Sequence, residues 1–381
     1  MKKSLYLFFV SLFLINNCSS QEENPPKVIT RINNNYEAKL IIDGLSIPWG
    51  IDFISSNDIL VTEKSGKLYR VIDYKKFLVE GVPAVYYRDQ GGLLDVAIHP
   101  EFKKNKLIYL TMSIEEKKGN GGNTALYMGK LDGTKLSNIK LLYKGTPDSK
   151  SGKHWGSRIV FDKSGYLFFS IGDRGNRDEN PQNIYKDGGK IYRLNLDGSI
   201  PSDNPFVSLQ GAKSAIFSFG HRNPQGLTIH PLTGSLWEHE HGPRGGDEIN
   251  LPEKGKNYGW PEITYGINYI GTKITDKTEK KGLEQPIYHW TPSIAPSGMT
   301  FSSSKVYPEW KNNLFVGSLK FQYLERLVFK EKKVIYREKL FNEICSTLDL
   351  SVQNKEATRR LWIKTLDARL AMGMSALAND I

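Results

Sequence analysis

The feature that most constrains this chain is a phrase it repeats. A turn rich in Gly, Pro, Asp or Asn feeds a short apolar run that ends in a charged or polar residue. Asp162-Lys163-Ser164-Gly165 leads into residues 166–171, Pro231-Leu232-Thr233-Gly234 into 235–239, residues 100–106 into 107–111, and residues 309–313 into 314–317. Each unit reads as a strand with one apolar face, and such a strand buries that face only by stacking with others like it. Further runs at 58–63, 67–73, 125–131, 190–196 and 313–319 are rich in Ile, Leu, Val, Tyr or Phe and bounded by turn residues. No comparable helical stretch precedes the last forty residues. The expectation is an all-β fold: a β-propeller, because long irregular loops separate the repeats, with a β-sandwich as the competing architecture.

Composition narrows the function. The hydrophobic share of 39% in 381 residues suffices for one large domain with a real core. The net charge of +11 comes from lysines scattered among acidic residues, without a run of five or more, so it describes a solvated surface and excludes nucleic acid as a partner. A basic pocket for an anionic cofactor is a more economical use of the excess. The two cysteines, Cys18 and Cys345, support neither a disulfide framework nor a cysteine metal site.

The N-terminus has the three parts of an export signal: Lys2 and Lys3, an apolar run over 5–15, and Asn16-Asn17-Cys18-Ser19-Ser20. The run is too short to span a bilayer, which takes about 20 apolar residues. Cys18 stands where a bacterial lipoprotein carries its lipidated cysteine. The expected organisation is a signal over 1–18, a polar tether over 19–34, a propeller domain over 35–356 and an atypical tail over 357–381. The expected location is periplasmic or membrane-anchored, with membrane contact only through a lipid on Cys18.

Several motifs carry chemistry. In Phe219-Gly220-His221-Arg222-Asn223-Pro224-Gln225-Gly226-Leu227, Arg222 sets a fork of donors next to the Asn223 amide, suited to planar carboxylates or quinone oxygens. In Glu238-His239-Glu240-His241-Gly242-Pro243-Arg244-Gly245-Gly246-Asp247-Glu248, the Gly-Pro step can present backbone carbonyls, which with carboxylates suit calcium. His239 and His241 would share a strand face, but no third ligand nearby completes a transition-metal pair. Lys153-His154-Trp155-Gly156-Ser157-Arg158 places a histidine beside glycine, where it can serve as a general base. Gly172-Asp173-Arg174-Gly175 and Pro181-Gln182-Asn183 offer a carboxylate and an amide for sugar hydroxyls.

Taken in order, Ile47-Pro48-Trp49-Gly50, Gln90-Gly91-Gly92-Leu93-Leu94, His154-Trp155-Gly156-Ser157-Arg158, the segments 221–227 and 242–260, and Gly317-Ser318-Leu319-Lys320 resemble the pyrroloquinoline-quinone-dependent soluble glucose and aldose sugar dehydrogenases, over about residues 35–345. The resemblance implies a six-bladed propeller of four-stranded antiparallel blades, the last of them atypical, with the quinone lying near the axis. It implies that His154 takes the proton from the anomeric hydroxyl of an aldose while hydride passes to the quinone, and that an external acceptor then removes the electrons. It assigns Gln90, Asp173 and Gln182 to the surroundings of that base and of the substrate, Arg222, Asn223 and Lys320 to the cofactor, and Trp290 to the flank of the sugar. It assigns the backbone of Gly242 and Pro243 to one calcium, and Glu248 with the Tyr258 carbonyl to a second, structural calcium.

One segment departs from the pattern. After Phe341-Asn342-Glu343-Ile344 the family continues with Gly-Arg-Ile-Arg-Asp, whose arginines clamp the cofactor, whereas this chain has Cys345-Ser346-Thr347-Leu348-Asp349. Ser346 and Leu348 thus stand at the arginine positions, and the tail, with Arg359, Arg360 and Arg369, reads partly helical over 366–378. An alternative follows: a propeller that has lost catalysis and serves as an exported binding or scaffold lipoprotein.

Overall fold

The computed structural model describes residues 29–33, 41–42, 44–303 and 307–341. Strand β1 (Ile29–Asn33) precedes a series of antiparallel sheets laid down in chain order. The first holds β2 (Pro48–Ser55), β3 (Asp58–Glu63), β4 (Lys67–Ile72) and β5 (Lys75–Val79). The second holds β6 (Leu93–Ile98), β7 (Leu107–Ile114), β8 (Asn123–Asp132) and β9 (Lys135–Lys144), with the short helix α1 (Phe102–Asn105) between β6 and β7. The third holds β10 (Ile159–Phe161), β11 (Tyr166–Ile171), β12 (Lys190–Asn195) and β13 (Ile216–Phe219). The fourth holds β14 (Pro224–Ile229), β15 (Leu236–Glu240), β16 (Asp247–Asn250) and β17 (Tyr288–Trp290). The fifth holds β18 (Pro296–Phe301), β19 (Leu314–Ser318), β20 (Tyr323–Lys330) and β21 (Lys333–Leu340).

The fold is therefore an all-β propeller of four-stranded antiparallel blades, and the blade number corrects the expectation of six. Among the described residues β2–β21 divide four to a sheet into five sheets. Strand β1 starts no further blade: it runs parallel to β21, Ile29 opposite Tyr336 and Asn33 opposite Leu340, as a fifth strand of the last sheet. Residues 29–33, read from sequence as the end of a tether, are thus part of that sheet. The export signal, Cys18, Cys345, the Ser346 and Leu348 positions and the tail over 357–381 lie outside the described residues. Among the described residues no helix is long and apolar enough to cross a membrane.

Strand alternation explains how the blades stack. Successive side chains of a strand point to opposite faces. On β11, Leu167, Phe169 and Ile171 join Tyr109 and Leu126 of the second sheet in one core, while the intervening Phe168 joins Leu227 and Leu236 of the fourth sheet in another. Similar cores lie between the first and second sheets around Leu60, Leu68, Val96 and Leu110, and between the fourth and fifth around Trp237, Ile249, Met299 and Val316. Each sheet is thus apolar on both faces.

The first strands of consecutive sheets are neighbours, in the succession β2, β6, β10, β14, β18. Backbones crowd there. A Cβ on Gly50 of β2 would stand 2.5 Å from Asp95 Oδ1, and one on Gly226 of β14 would stand 2.4 Å from His239 Nε2, so only glycine fits. Arg158 ties four of the five sheets together at this level. It donates from Nη1 to Asp95 Oδ1 of β6 at 2.9 Å and from Nε to the Gln225 carbonyl of β14 at 3.1 Å, and its guanidinium lies 4.5 Å from the centre of the Trp49 ring of β2.

Candidate functional site

The loops around these inner strands bring together distant parts of the chain. His154 lies between β9 and β10 with φ +56°, a left-handed conformation uncommon for a side-chain-bearing residue and often held in place at functional sites. Two contacts hold it. Its backbone N–H donates to Gln90 Oε1 at 2.8 Å, and its ring Nδ1 lies 2.6 Å from Asp173 Oδ1. The second oxygen of Asp173 accepts from Trp260 Nε1 at 3.0 Å, and the Asp173 N–H donates to the Arg222 carbonyl at 2.7 Å. Burial opposes the charge of Asp173, but its hydrogen bond with His154 and the nearby Arg222 outweigh that and hold the carboxyl below its ordinary range. Burial lowers the His154 pKa, and Asp173 only partly offsets the fall, so the ring is neutral at neutral pH.

Gln182 sits one layer back. Its amide and that of Asn257 bond reciprocally at 3.1 and 2.7 Å, and Gln182 Nε2 also donates to the Trp260 carbonyl at 2.8 Å. Its action on His154 runs through Trp260 and Asp173, which makes it a positioning residue.

Arg222 and Asn223 enter from the segment joining β13 to β14. Their backbone N–H groups share Glu240 Oε2 as acceptor, which fixes the peptide. Arg222 Nη1 donates to the carbonyls of His241 and Gly242 at 2.8 and 3.0 Å, and its guanidinium stands 5.5 Å from the Trp260 ring centre. Asn223 Oδ1 accepts from Gly156 N at 3.2 Å, two residues after His154. These bonds leave Arg222 Nη2 and the Asn223 amide nitrogen as unclaimed donors beside the His154–Asp173 pair, a set that fits an anionic group bearing carbonyl oxygens. The Gly242 carbonyl is already an acceptor for a cation, and the 242–246 turn is tight: a Cβ on Gly242 would stand 2.2 Å from the Gly246 carbonyl oxygen. Gly242 and Pro243 thus offer oxygen donors of the kind calcium takes.

The remaining expected residues make contacts of their own, none of them a hydrogen bond, ion pair or ring contact with the His154–Asp173 pair. Lys320 is exposed on the turn between β19 and β20, its ammonium 5.0 Å from the centre of the Phe321 ring. Trp290 is a core residue of the fourth and fifth sheets, 2% exposed, with its indole N–H on Glu325 Oε2 at 2.8 Å. Glu248 faces Glu240 across β15 and β16, and Tyr258 stacks on His221 with ring centres 4.7 Å apart.

Sequence reasoning passed over three residues that organise the site. Trp260 orients Asp173. Asp247 accepts from Gly242 N, Ser293 Oγ, Ile294 N and Ala295 N at 2.7 to 2.9 Å, so one buried carboxylate fixes the loops on both sides of β16–β17. Arg174, fully buried over the Trp155 ring, donates to the carbonyls of Lys153 and Ser151 and so clamps the His154 loop. The available signal was an unpaired charge or indole inside a glycine-bounded motif, a position where burial demands a partner.

The site is that of a β-propeller carrying a histidine–carboxylate pair beside an arginine and an amide, and comparison with known proteins gives its family. The chain belongs to the Glucose / Sorbosone dehydrogenase family, which matches residues 45–356. It is 42% identical over 289 residues to aldose sugar dehydrogenase YliI of Escherichia coli K12, covering 74% of this chain and 77% of that protein. Among solved structures it is similar to a glucose dehydrogenase with TM-score 0.77 and 40% identity, covering 79% of this chain and 89% of the other. It also resembles the PQQ-bound aldose sugar dehydrogenase of Streptomyces coelicolor with TM-score 0.64 and 25% identity, covering 79% of this chain and 83% of the other.

Proposed function

We propose that this protein is an exported quinoprotein that oxidises the anomeric carbon of aldose sugars to lactones. The observation that carries the reading is the His154–Asp173 pair, neutral ring against ionised carboxylate, set beside the free donors of Arg222 and Asn223. Nδ1–H donates to Asp173, so the lone pair sits on Nε2, and Nε2 is the atom that takes the anomeric proton. Gln90 holds the His154 backbone, and Trp260 with Gln182 behind it keeps Asp173 aimed at the ring. Arg222 and Asn223 would hold the oxygens of pyrroloquinoline quinone with Lys320, and the Gly242 and Pro243 carbonyls a calcium. When bound, the quinone supplies the hydride acceptor, and an external acceptor reoxidises it. A lipid on Cys18 would keep the domain at a membrane surface on the exported side.

The test is titration of the mature protein with pyrroloquinoline quinone and calcium, followed by dye reduction with a panel of aldoses. Sugar-dependent reduction is expected, and His154→Ala should lower turnover by about 10²- to 10⁴-fold while the quinone still binds. A folded protein that binds no quinone would favour the alternative, a propeller that binds or scaffolds without catalysis, for which Ser346 and Leu348 speak. Each missing arginine contact is worth on the order of 1.5–3 kcal/mol. Restoring both, as S346R with L348R, should then tighten quinone binding by about a hundredfold or more.

A further inference from the structure

Behind the Arg222–Asn223 peptide lies a group of side chains that the proposed reaction does not use. His221, Glu238 and Glu240 are buried, and their ligating atoms lie within 4.8 Å of one another. His221 Nδ1 stands 3.6 Å from Glu240 Oε1 and 4.0 Å from Glu238 Oε2, too far for a hydrogen bond to either. His221 Nδ1 and Glu238 Oε1 are both fully buried and have no hydrogen-bond partner. The other ring nitrogen, Nε2, is 2.9 Å from Ser218 Oγ, and the Tyr258 ring stacked on the imidazole fixes its plane.

Buried carboxylates require compensation, and no lysine or arginine forms an ion pair with Glu238, Glu240 or Glu248 among the described residues. Glu240 does accept the two backbone N–H groups of Arg222 and Asn223, and Glu238 Oε2 accepts from Asn250 Nδ2 at 3.0 Å. Those bonds orient the two carboxyl groups. Ligands about 2.0–2.2 Å from a tetrahedral ion stand roughly 3.3–3.6 Å apart; the 3.6 Å from His221 Nδ1 to Glu240 Oε1 meets that spacing, and the 4.0 Å to Glu238 Oε2 would close by a few tenths of an ångström around a bound ion. An imidazole nitrogen with two carboxylates suits a transition dication, whereas calcium takes oxygen alone.

We infer that His221, Glu238 and Glu240 form a structural site for a transition-metal dication of the zinc or manganese class, buried beneath the peptide that presents Arg222 and Asn223. The ion differs in ligand chemistry from the calcium expected at Gly242 and Pro243 and from that expected at Glu248 and Tyr258, the second of which it adjoins, since Tyr258 stacks on His221 and Glu248 faces Glu240; its defining ligand is an imidazole. Asn250, Ser218 and the Arg222 and Asn223 amides form its outer layer and set the ligand orientations. Because the site is closed to solvent, the ion enters as the chain folds, and its binding adds to stability.

The experiment uses the full mature chain without quinone or sugar, so it is independent of the dehydrogenase reading. The protein is stripped with a chelator and refolded with zinc, manganese, cobalt(II) or calcium. Bound metal is counted by mass spectrometry, and melting temperature and the visible absorption of cobalt are recorded. One tightly held equivalent of a transition dication, a raised melting temperature and a low-symmetry cobalt spectrum are expected. His221→Gln and Glu238→Gln, which keep side-chain size, should each weaken binding by at least a hundredfold. A folded wild-type chain that takes up no transition dication overturns the inference, as does uptake that both variants retain. Uptake of calcium alone also overturns it. If neither variant folds, the wild-type stoichiometry and cobalt spectrum decide by themselves.

Discussion

His154 is pulled two ways, and the balance makes a pH prediction. Burial lowers its pKa from 6.5, the bond to Asp173 raises it, Arg222 lowers it again, and the net is downward. The acid limb of the activity profile should therefore lie below pH 6.5. Asp173→Asn removes the raising influence and frees the wrong tautomer, so the limb should move to still lower pH while turnover falls by about 10²-fold or more. A limb that moved upward would contradict this. Stability follows the same sign: the folded pKa values of His154, His239 and His241 are all depressed, chiefly by burial. The unfolded chain binds protons first, so stability is full above 6.5 and is lost as pH falls through that value toward the folded pKa values. Glu238 and Glu248, whose carboxyls burial holds well above their ordinary range, act in the opposite sense, so the measurement is comparative: between neutrality and about pH 5 the melting temperature of His154→Gln should fall less than that of the wild type. His154, Asp173, Arg222 and Asn223 were legible because glycines flank them in motifs. Trp260 and Asp247 were not, because their partners lie tens of residues away in sequence and only the folded loops bring them together.

At the scale of elements, a single lysine braces the loop that carries Asp173. Lys190 at the start of β12 is buried and donates to the carbonyls of Asn180, Pro181 and Gly188, while Asn180 Nδ2 holds the Asp173 carbonyl at 3.0 Å. Lys190→Met would leave the Gly188 carbonyl unsatisfied, whereas those of Asn180 and Pro181 keep the N–H groups of Asn183 and Gly220, and denaturant melts should show a loss of about 1–3 kcal/mol. Turnover should fall with it, since Asp173 loses its support. Outer and inner strands differed in how well sequence revealed them. Strands β3 and β11 were read to the residue, because they are apolar and bounded by turns. The innermost strands β2, β14 and β18 were missed. Each opens with Pro-x-Gly, at Pro48, Pro224 and Pro296, and each shifts register against its partner at that point. A search for β-branched runs discards a strand that starts with proline and glycine, yet the proline is tolerated at a bulge and the glycine is what the crowded centre requires. Strands β5 and β9 were obscured in the opposite way, by the lysines of exposed faces.

For the whole molecule, the Asp95–Arg158 pair is the place where the blades depend on one another. Both side chains are buried, and Asp95 also accepts from Ile159 N at 2.9 Å. Removing one member leaves an uncompensated charge, so Asp95→Ala should cost about 3–5 kcal/mol, and the double change with Arg158→Met should cost less than the sum of the two single changes. Paired thermal melts measure the difference. The propeller class was legible because the repeated phrase encodes a stack. The blade count was not, because nothing in a strand's own pattern says whether it opens a new sheet or joins an old one. Strand β1 shows what that choice entails. It lies against β21, roughly 300 residues further along the chain, so the two ends of the domain meet in one sheet. Residues 29–33 have no sheet to join until residues 333–340 have been made. Until then the waiting segment and the open flank of β21 are both exposed strand-forming surfaces, and the slow step in maturation of this protein should be the joining of its ends rather than the formation of any blade.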